Sequence, residues 1–280
     1  MKLYDSHTHT KISPDGHSTA ADMWAAAESA GLTGLCITNH CDIPTVITNP
    51  EDENFRASDG QRILKFSNPD LDAWIVERDT AKDLGLRYGL EIGNPLTDMA
   101  RASYVTALTQ PDFIIGSMHA MNDTPDFYYL KKDAPDFVSL QARYFTEMLE
   151  MTKVCDFDVI GHLTYPWRCV TLPDEPVDIL RHEEILRGLF RALAERGRGI
   201  EINTSGLRNS AYSNFGRCLP DLDVIELFRE CGGEVLTIGS DAHRASDVGF
   251  SLQAGHDLAK AAGFTHAAFF TDRKPVFYAL

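Results

Sequence analysis

Short apolar segments of β character alternate with helical segments along the whole chain, and this alternation restricts the fold more than any other feature. The seven predicted strands cover residues 3–5, 34–38, 87–92, 113–117, 157–161, 199–203 and 235–239. Helical periodicity covers residues 19–30, 71–84, 139–154, 179–195 and 221–230, and glycines follow several of these stretches, as is typical of helix C-termini. Repeated strand and helix predict an α/β fold with a parallel sheet, either closed into a barrel or open and doubly wound.

No linker-like composition, low-complexity tract or internal repeat divides the sequence, so we predict a single domain over residues 1–280. The last stretch, 263–280, is interpreted as either an eighth strand or a terminal tail that covers the barrel. Two polar connections, 41–69 and 120–135, directly follow predicted strands. Because βα loops build the active sites of barrels, we expect both connections to border the site.

The charge balance limits the partners of the chain. There are 26 Lys and Arg against 41 Asp and Glu, a formal net charge of −15, which disfavours binding to nucleic acids or anionic membranes. The six cysteines form no CxxC pair, which is typical of reduced, structural cysteines. There is no apolar run of membrane-spanning length and no signal-peptide pattern at the N-terminus. The sequence therefore predicts a soluble cytoplasmic protein.

Histidines are concentrated at the C-terminal ends of the predicted strands, where (β/α) barrels carry their chemistry. In His7-Thr8-His9 the two imidazoles project to the same side of an extended strand, and Asp241-Ala242-His243 repeats this spacing. Glu91, at the end of the third strand, has two oxygens and could bridge two cations. We predict a centre of two or three divalent ions, with Zn, Mn or Fe favoured over Ca or Mg by the imidazoles. The nine candidate ligands are His7, His9, Asp15, His40, Glu91, His119, His162, Asp241 and His243.

Such a centre indicates metal-assisted hydrolysis, because clustered ions lower the pKa of a bridging water and hold the oxygens of a phosphoryl group. The sequence contains no GxSxG, GxxxxGK[ST] or GxGxxG motif. A phosphoester and an amide or amidine centre both remain possible targets. Arg168 and Arg208 follow the fifth and sixth strands, where guanidinium groups could hold a phosphate bidentately. Glu91, Asp241, Arg168 and Arg208 are the candidate catalytic residues.

Eight sequence blocks resemble the PHP (polymerase and histidinol phosphatase) family. They are DSHTHT (5–10), SPDGH (13–17), GLTGLCITNHCD (31–42), GLEIG (89–93), IGSMHAM (115–121), DVIGHL (158–163), GIEINTSGLR (199–208) and IGSDAH (238–243). Within the family, EINTSGLR is similar to the monofunctional histidinol-phosphatases. The resemblance implies a distorted (β/α)7 barrel with a trinuclear metal site. It also implies three ligand sets, namely His7, His9, Glu91 and Asp241; Glu91, His119 and His162; and Asp15, His40 and His243.

The leading hypothesis is a metal-dependent phosphomonoesterase that hydrolyses L-histidinol phosphate in histidine biosynthesis, with a small phosphorylated substrate and no nucleic-acid or membrane partner. The first alternative is a PHP phosphoesterase that acts on another small phosphate or a nucleotide. A more distant alternative is an amidohydrolase-like deaminase or amidase, against which Glu91 in place of a bridging lysine argues. A non-catalytic alternative is a metal-binding accessory domain, which the full ligand set disfavours.

Overall fold

The computed structural model describes residues 2–43, 69–121, 124, 126–129, 137–170, 178–208 and 215–280, with only the backbone described at 129, 137–139, 169 and 170. Most of the predicted site-bordering connections, 41–69 and 120–135, lies outside these residues.

Seven parallel strands form one sheet whose order follows the chain. The strands are β1 (Tyr4–Asp5), β2 (Gly34–Asp42), β3 (Arg87–Gly93), β4 (Ile114–Ser117), β5 (Val159–Ile160), β6 (Gly199–Asn203) and β7 (Val235–Gly239). Only residues at the ends of β1, β2 and β3 are partly exposed. Burial on both faces is expected when helices cover the outside of a parallel sheet and side chains fill the inside.

Hydrogen bonds just beyond the strand ends bring the last strand back to the first. The Ser6 amide donates to the Ile238 carbonyl over 3.0 Å, and the Asp241 amide donates to the His7 carbonyl over 2.8 Å. The buried Asp5 carboxylate strengthens this join by accepting from the amide and hydroxyl of Ser240 at 2.9 and 2.6 Å. The architecture is therefore the predicted distorted (β/α)7 barrel.

Helices connect the strands, and local capping signals set their ends. Thr19 and Asp22 form a capping box at the first helix, and Asp70 caps the second. Gly31 and Gly85, with φ of 70° and 79°, follow the same two helices. The helices are α1 (Ala20–Ser29), α2 (Leu71–Asp83), α3 (Met99–Thr109), α4 (Phe137–Val154), α5 (Tyr165–Val170), α6 (Glu183–Glu195), α7 (Leu222–Glu230) and α8 (Leu252–Ala261).

Three of these helices, α3, α5 and α8, are additional to the predicted ones, and residues 179–182 form a 3₁₀ turn instead of the start of α6. Within the described residues, no helix is both long and apolar enough to cross a membrane. The five cysteines whose side chains are described are free.

The end of the chain forms an antiparallel hairpin of β8 (His266–Thr271) and β9 (Lys274–Ala279), outside the parallel sheet. Tyr4, at the start of β1, packs against Phe269 and Tyr278 of the hairpin with ring centroids 4.6 Å apart in both pairs. The hairpin therefore covers the N-terminal end of the barrel. Of the two interpretations of residues 263–280, the covering segment is closer to the structure than an eighth parallel strand.

Candidate metal centre

All nine predicted ligand residues lie together at the opposite end of the barrel, at the C-terminal ends of the strands or in the loop after β1. Each has a ligand-type atom within 4.0 Å of one from another member of the set. Most are buried, while Asp15 and His243 lie at the edge with side chains 21% and 26% exposed. The barrel thus brings together residues that are up to 236 positions apart in sequence.

Glu91 is the centre of this cluster and is fully buried. Its Oε2 lies 3.1 Å from His7 Nε2 and 3.0 Å from His40 Nδ1. Its Oε1 lies 2.8 Å from His162 Nε2 and 3.2 Å from His119 Nε2. The two oxygens of one carboxylate therefore face two separate groups of imidazoles, which is the geometry that a bridging ligand requires.

Asp241 and Asp15 extend the cluster away from Glu91. Asp241 Oδ1 lies 3.3 Å from His9 Nε2 and 3.6 Å from His243 Nδ1. Asp15 Oδ2 lies 3.1 Å from His243 Nε2 and 3.8 Å from His40 Nε2. A third group of ligand-type atoms is therefore present on the solvent side of the cluster.

Several triplets of these side chains could each hold a metal ion, because their ligand atoms lie within 4.8 Å of one another. The triplets are His7, His9 and Glu91; Glu91, His119 and His162; His7, His162 and Asp241; His9, His40 and His243; and His40, Asp42 and His119. Imidazole mixed with carboxylate is a donor set that suits zinc and related transition ions.

The environment of His9 fits a cation at this position. His9 is fully buried, and its Nε2 makes no hydrogen bond although it lies 3.4 Å from Glu91 Oε2. Burial, together with the positive charges of His40 and His243, lowers the pKa of His9 to about 3. A neutral imidazole is the form that coordinates metal, and the two nearby carboxylates supply the negative charge that a cation needs.

The remaining charges in the cluster balance one another. Burial opposes a charged imidazole at His7, but Glu201, Glu91 and Asp241 outweigh it and raise the pKa of His7 well above its ordinary value. Burial also opposes a charged Glu91, yet His40 and His7 hold the pKa of Glu91 well below its usual range. The carboxylates of the site are therefore favoured in their charged form, and their negative charge is compensated by protons on the imidazoles or by metal ions.

The backbone at two candidate ligands is in a sparsely populated conformation. His162 and Asp241 have φ of 25° and 54°, in the left-handed region that non-glycine residues rarely adopt. Hydrogen bonds hold both positions, since the His162 amide donates to Glu201 Oε2 and the Asp241 amide to the His7 carbonyl, each over 2.8 Å. Such local strain is typical of functional sites.

Two carboxylates that the sequence analysis missed contact the outer nitrogens of the histidines. Glu201, fully buried on β6, lies 2.7 Å from His7 Nδ1 through Oε1. Asp42, at the end of β2, lies 3.1 Å from His119 Nδ1. Each contact leaves Nε2 directed toward Glu91, so the carboxylates orient the imidazoles. Only glycine fits at Gly239, because a Cβ there would lie 2.5 Å from Glu201 Oε1.

The two predicted phosphate-binding arginines lie on one side of the cluster, beside Asp241. Arg168 Nη1 donates to Ser205 Oγ over 2.9 Å and lies 3.8 Å from Asp241 Oδ2. Arg208 Nη2 donates to the Ser240 carbonyl over 3.0 Å. Both guanidinium groups therefore border the same edge of the centre.

Asn203 and Ser205, at the end of β6 and just after it, hydrogen bond to one another. Ser205 Oγ donates to Asn203 Oδ1 over 2.5 Å, and Asn203 Nδ2 donates to Glu201 Oε2 over 3.1 Å. These side chains form a chain of contacts from Arg168 to Glu201. In the structure their polar atoms are therefore used in contacts with other residues of the site.

Comparisons with known proteins agree with this architecture. Residues 5–205 match the family described as PHP domain. The chain is 26% identical over 280 residues to the histidinol-phosphatase of Lactococcus lactis, covering 98% of this chain and 96% of that protein. It is 29% identical over 255 residues to a probable histidinol-phosphatase of Deinococcus radiodurans, covering 89% of each chain.

The fold is also similar to a crystal structure of the Lactococcus lactis histidinol phosphate phosphatase, which was solved with zinc, L-histidinol and phosphate. The TM-score is 0.76 at 24% identity, and the match covers 98% of this chain and 99% of that chain.

Proposed function

The chain belongs to the PHP domain family, and on that premise we propose that it is a metal-dependent histidinol-phosphatase, which hydrolyses L-histidinol phosphate to L-histidinol and phosphate. The observation that carries this proposal is the cluster centred on Glu91, within a chain that is similar over nearly its whole length to histidinol-phosphatases. The reaction is hydrolysis of a phosphoric monoester.

We assign three metal positions to the cluster. His7, His9, Glu91 and Asp241 would hold the first ion, Glu91, His119 and His162 the second, and Asp15, His40 and His243 the third. Zinc is favoured by the mixture of imidazole and carboxylate donors and by the relative solved with zinc, while manganese and iron are compatible with the same donors.

Divalent ions at such a centre supply a water of lowered pKa and stabilise the charge of a phosphoryl group. The other contributions come from the side chains. Arg168 and Arg208 would bind phosphoryl oxygens at the edge beside Asp241, and Ser205 holds the Arg168 guanidinium in place. Glu201 Oε1 accepts a hydrogen bond from His7 Nδ1, which keeps Nε2 available as a ligand atom.

Hydrolysis of a panel of phosphate monoesters by protein loaded with Zn, Mn or Fe tests the proposed substrate. We expect a much higher kcat/KM for L-histidinol phosphate than for p-nitrophenyl phosphate. Equal values would contradict the histidinol-phosphatase assignment and favour the alternative, a PHP phosphoesterase with another small substrate. Fewer than two ions per chain, by elemental analysis of protein purified without chelator, would contradict the metal assignment.

The phosphate-binding role of Arg168 has its own test. We expect Arg168→Ala to lower the affinity for inorganic phosphate, measured as an inhibition constant, by roughly 10- to 100-fold, because a charge-assisted contact is lost. Arg191→Ala, an exposed arginine on α6, is the matched control. An unchanged inhibition constant in the Arg168 variant would remove the arginine from the phosphate site.

A further inference from the structure

Asp126 lies beside the metal centre, after β4, and takes no part in the function proposed above. It is half-buried, and its Oδ1 accepts hydrogen bonds from the Tyr128 amide at 2.9 Å and from Tyr165 Oη at 3.3 Å. Among the residues that the structure describes, no lysine, arginine or histidine comes within ion-pair distance of this carboxylate, and Oδ2 accepts no hydrogen bond. Asp126 therefore has one oxygen that is available to a ligand.

Tyr165 connects Asp126 to the rest of the site. The Tyr165 ring lies with its centroid 5.4 Å from that of His119 and 5.1 Å from that of His162. The Arg168 guanidinium lies over the same ring, 4.8 Å from its centroid. One tyrosine thus contacts two candidate ligands and a candidate phosphate-binding arginine, while its hydroxyl contacts Asp126. Asp126 and the Arg168 guanidinium therefore contact the same tyrosine side chain.

The electrostatic environment of Asp126 favours a cationic ligand. Burial raises the pKa of Asp126, and the nearby Asp42 adds to this effect, although His119 and the two hydrogen bonds oppose it. A carboxylate with this environment gains stability when a positive charge binds to it. The negative site would also repel phosphate esters whose organic part carries negative charge.

We propose that Asp126 binds the ammonium group of the substrate, so that the site selects phosphate monoesters that carry a protonated amine on the carbon next to the ester carbon. This inference rests on the proposed phosphatase activity and identifies one determinant of its specificity. Arg168 and the metal centre hold the phosphoryl end, and Asp126 holds the amine. Tyr165 Oη fixes the carboxylate by donating to Oδ1, which leaves Oδ2 to accept from the ammonium.

Two pairs of esters that differ only in the amine test this proposal. L-Histidinol phosphate is compared with 3-(imidazol-4-yl)propyl phosphate, and L-phenylalaninol phosphate with 3-phenylpropyl phosphate. The quantity measured is the amine preference, which is the ratio of kcat/KM for the amine-bearing ester to that for its amine-free counterpart. We expect Asp126→Asn to lower this ratio by roughly 10- to 100-fold in both pairs, mainly through KM. Asp83→Asn, an exposed aspartate at the end of α2, should leave it unchanged.

The proposal is overturned if the amine preference of Asp126→Asn stays within 2-fold of the wild-type value. This includes the outcome in which both esters lose activity equally because Tyr165 is displaced. If this variant does not fold, as judged by circular dichroism, Asp126→Glu takes its place. We expect a smaller decrease of the amine preference in that variant, and an unchanged preference would overturn the proposal. The phenyl pair keeps this result separate from the histidinol-phosphatase assignment, which fails only if wild type does not favour histidinol phosphate.

Discussion

Glu201, a buried residue outside the predicted ligand set, contacts two histidines of the centre. Glu201 has no exposed surface and accepts three contacts, from His7 Nδ1 at 2.7 Å, from the His162 amide at 2.8 Å and from Asn203 Nδ2 at 3.1 Å. It therefore connects two candidate ligands from different strands. An uncompensated charge at this depth would be costly, so these contacts account for the burial of a glutamate.

We expect Glu201→Gln to reduce metal affinity by roughly 10- to 100-fold, because the amide replaces the charged acceptor of His7 Nδ1 and weakens the orientation of that imidazole. Metal affinity is measured by competition with a chromophoric chelator, and metal content by elemental analysis. Glu195→Gln, an exposed glutamate at the end of α6, is the control and should bind metal as wild type does. Wild-type affinity in Glu201→Gln would mean that the contact with His7 has no role in metal binding.

At this scale the sequence predicted which histidines and acids the fold brings together around Glu91, but it did not predict the two carboxylates, Glu201 and Asp42, that contact those histidines. The histidines at strand ends can be recognised in the sequence because they recur at equivalent positions of successive strands. Glu201 lies inside a predicted strand, between two isoleucines. An acid in such an apolar strand indicates a buried charge with a partner, and this pattern could have identified Glu201. Asp42 lies two residues after His40, in the segment where the predicted strand had already ended. Its contact with His119, just after β4, depends on both the β2–β3 and the β3–β4 register, which the sequence does not specify.

Among the elements, the terminal hairpin is attached to the barrel by charged contacts at its turn. Arg273 Nε donates to Asp158 Oδ2 over 2.7 Å, and its Nη2 lies 3.1 Å from Asp156 Oδ1. The Arg273 amide also donates to the Asp112 carbonyl over 2.8 Å. Asp112 and Asp158 stand just before β4 and β5, so the turn is fixed to the end of the barrel that is opposite the metal centre.

Arg273→Ala should lower the free energy of unfolding by about 1–3 kcal/mol, because it leaves the largely buried Asp158 carboxylate without its charged partner. Urea denaturation gives this change as a shift of the midpoint at constant slope. Arg191→Ala is the control for loss of an exposed arginine. Because the hairpin is distant from the site, kcat/KM of the folded variant should stay close to that of wild type. A wild-type midpoint would show that the packing of Tyr4 against the hairpin is sufficient.

The strands were predictable at this scale because parallel strands in a barrel are buried on both faces and form continuous apolar runs. The strands β6 and β7 match their predicted bounds, and the others differ by a few residues. The hairpin was harder to predict. Residues 263–280 contain two apolar runs that fit a parallel strand equally well. Their antiparallel pairing depends on contacts with residues such as Tyr4 that are distant in sequence.

For the whole molecule, the distribution of charge matters more than its sum. The formal net charge is −15, yet positive charge is concentrated at the centre. Glu91 and Asp241 are buried there, and the neighbouring histidines hold their pKa values well below the usual range. Three divalent ions would change the sum to −9 and place six positive charges at one end of the barrel. With the ions bound, a small phosphate would be attracted to that end, while the remaining acidic surface would still repel large polyanions.

Removal of the metal should destabilise the whole barrel, because Glu91 contacts candidate ligands that lie on β2 or just after β1, β4 and β5. Without metal, the carboxylates would depend on protonated imidazoles for compensation. With free zinc at 1,000 times its dissociation constant, each site contributes about 4 kcal/mol. At about 2 °C per kcal/mol, this corresponds to a Tm lower by roughly 8 °C for each site that is emptied. Calorimetry of chelator-treated and reconstituted protein measures the difference. Equal Tm values with and without metal, at a measured occupancy of two or more ions, would mean that the folded barrel does not depend on the ions and that the proton-compensated cluster is equally stable.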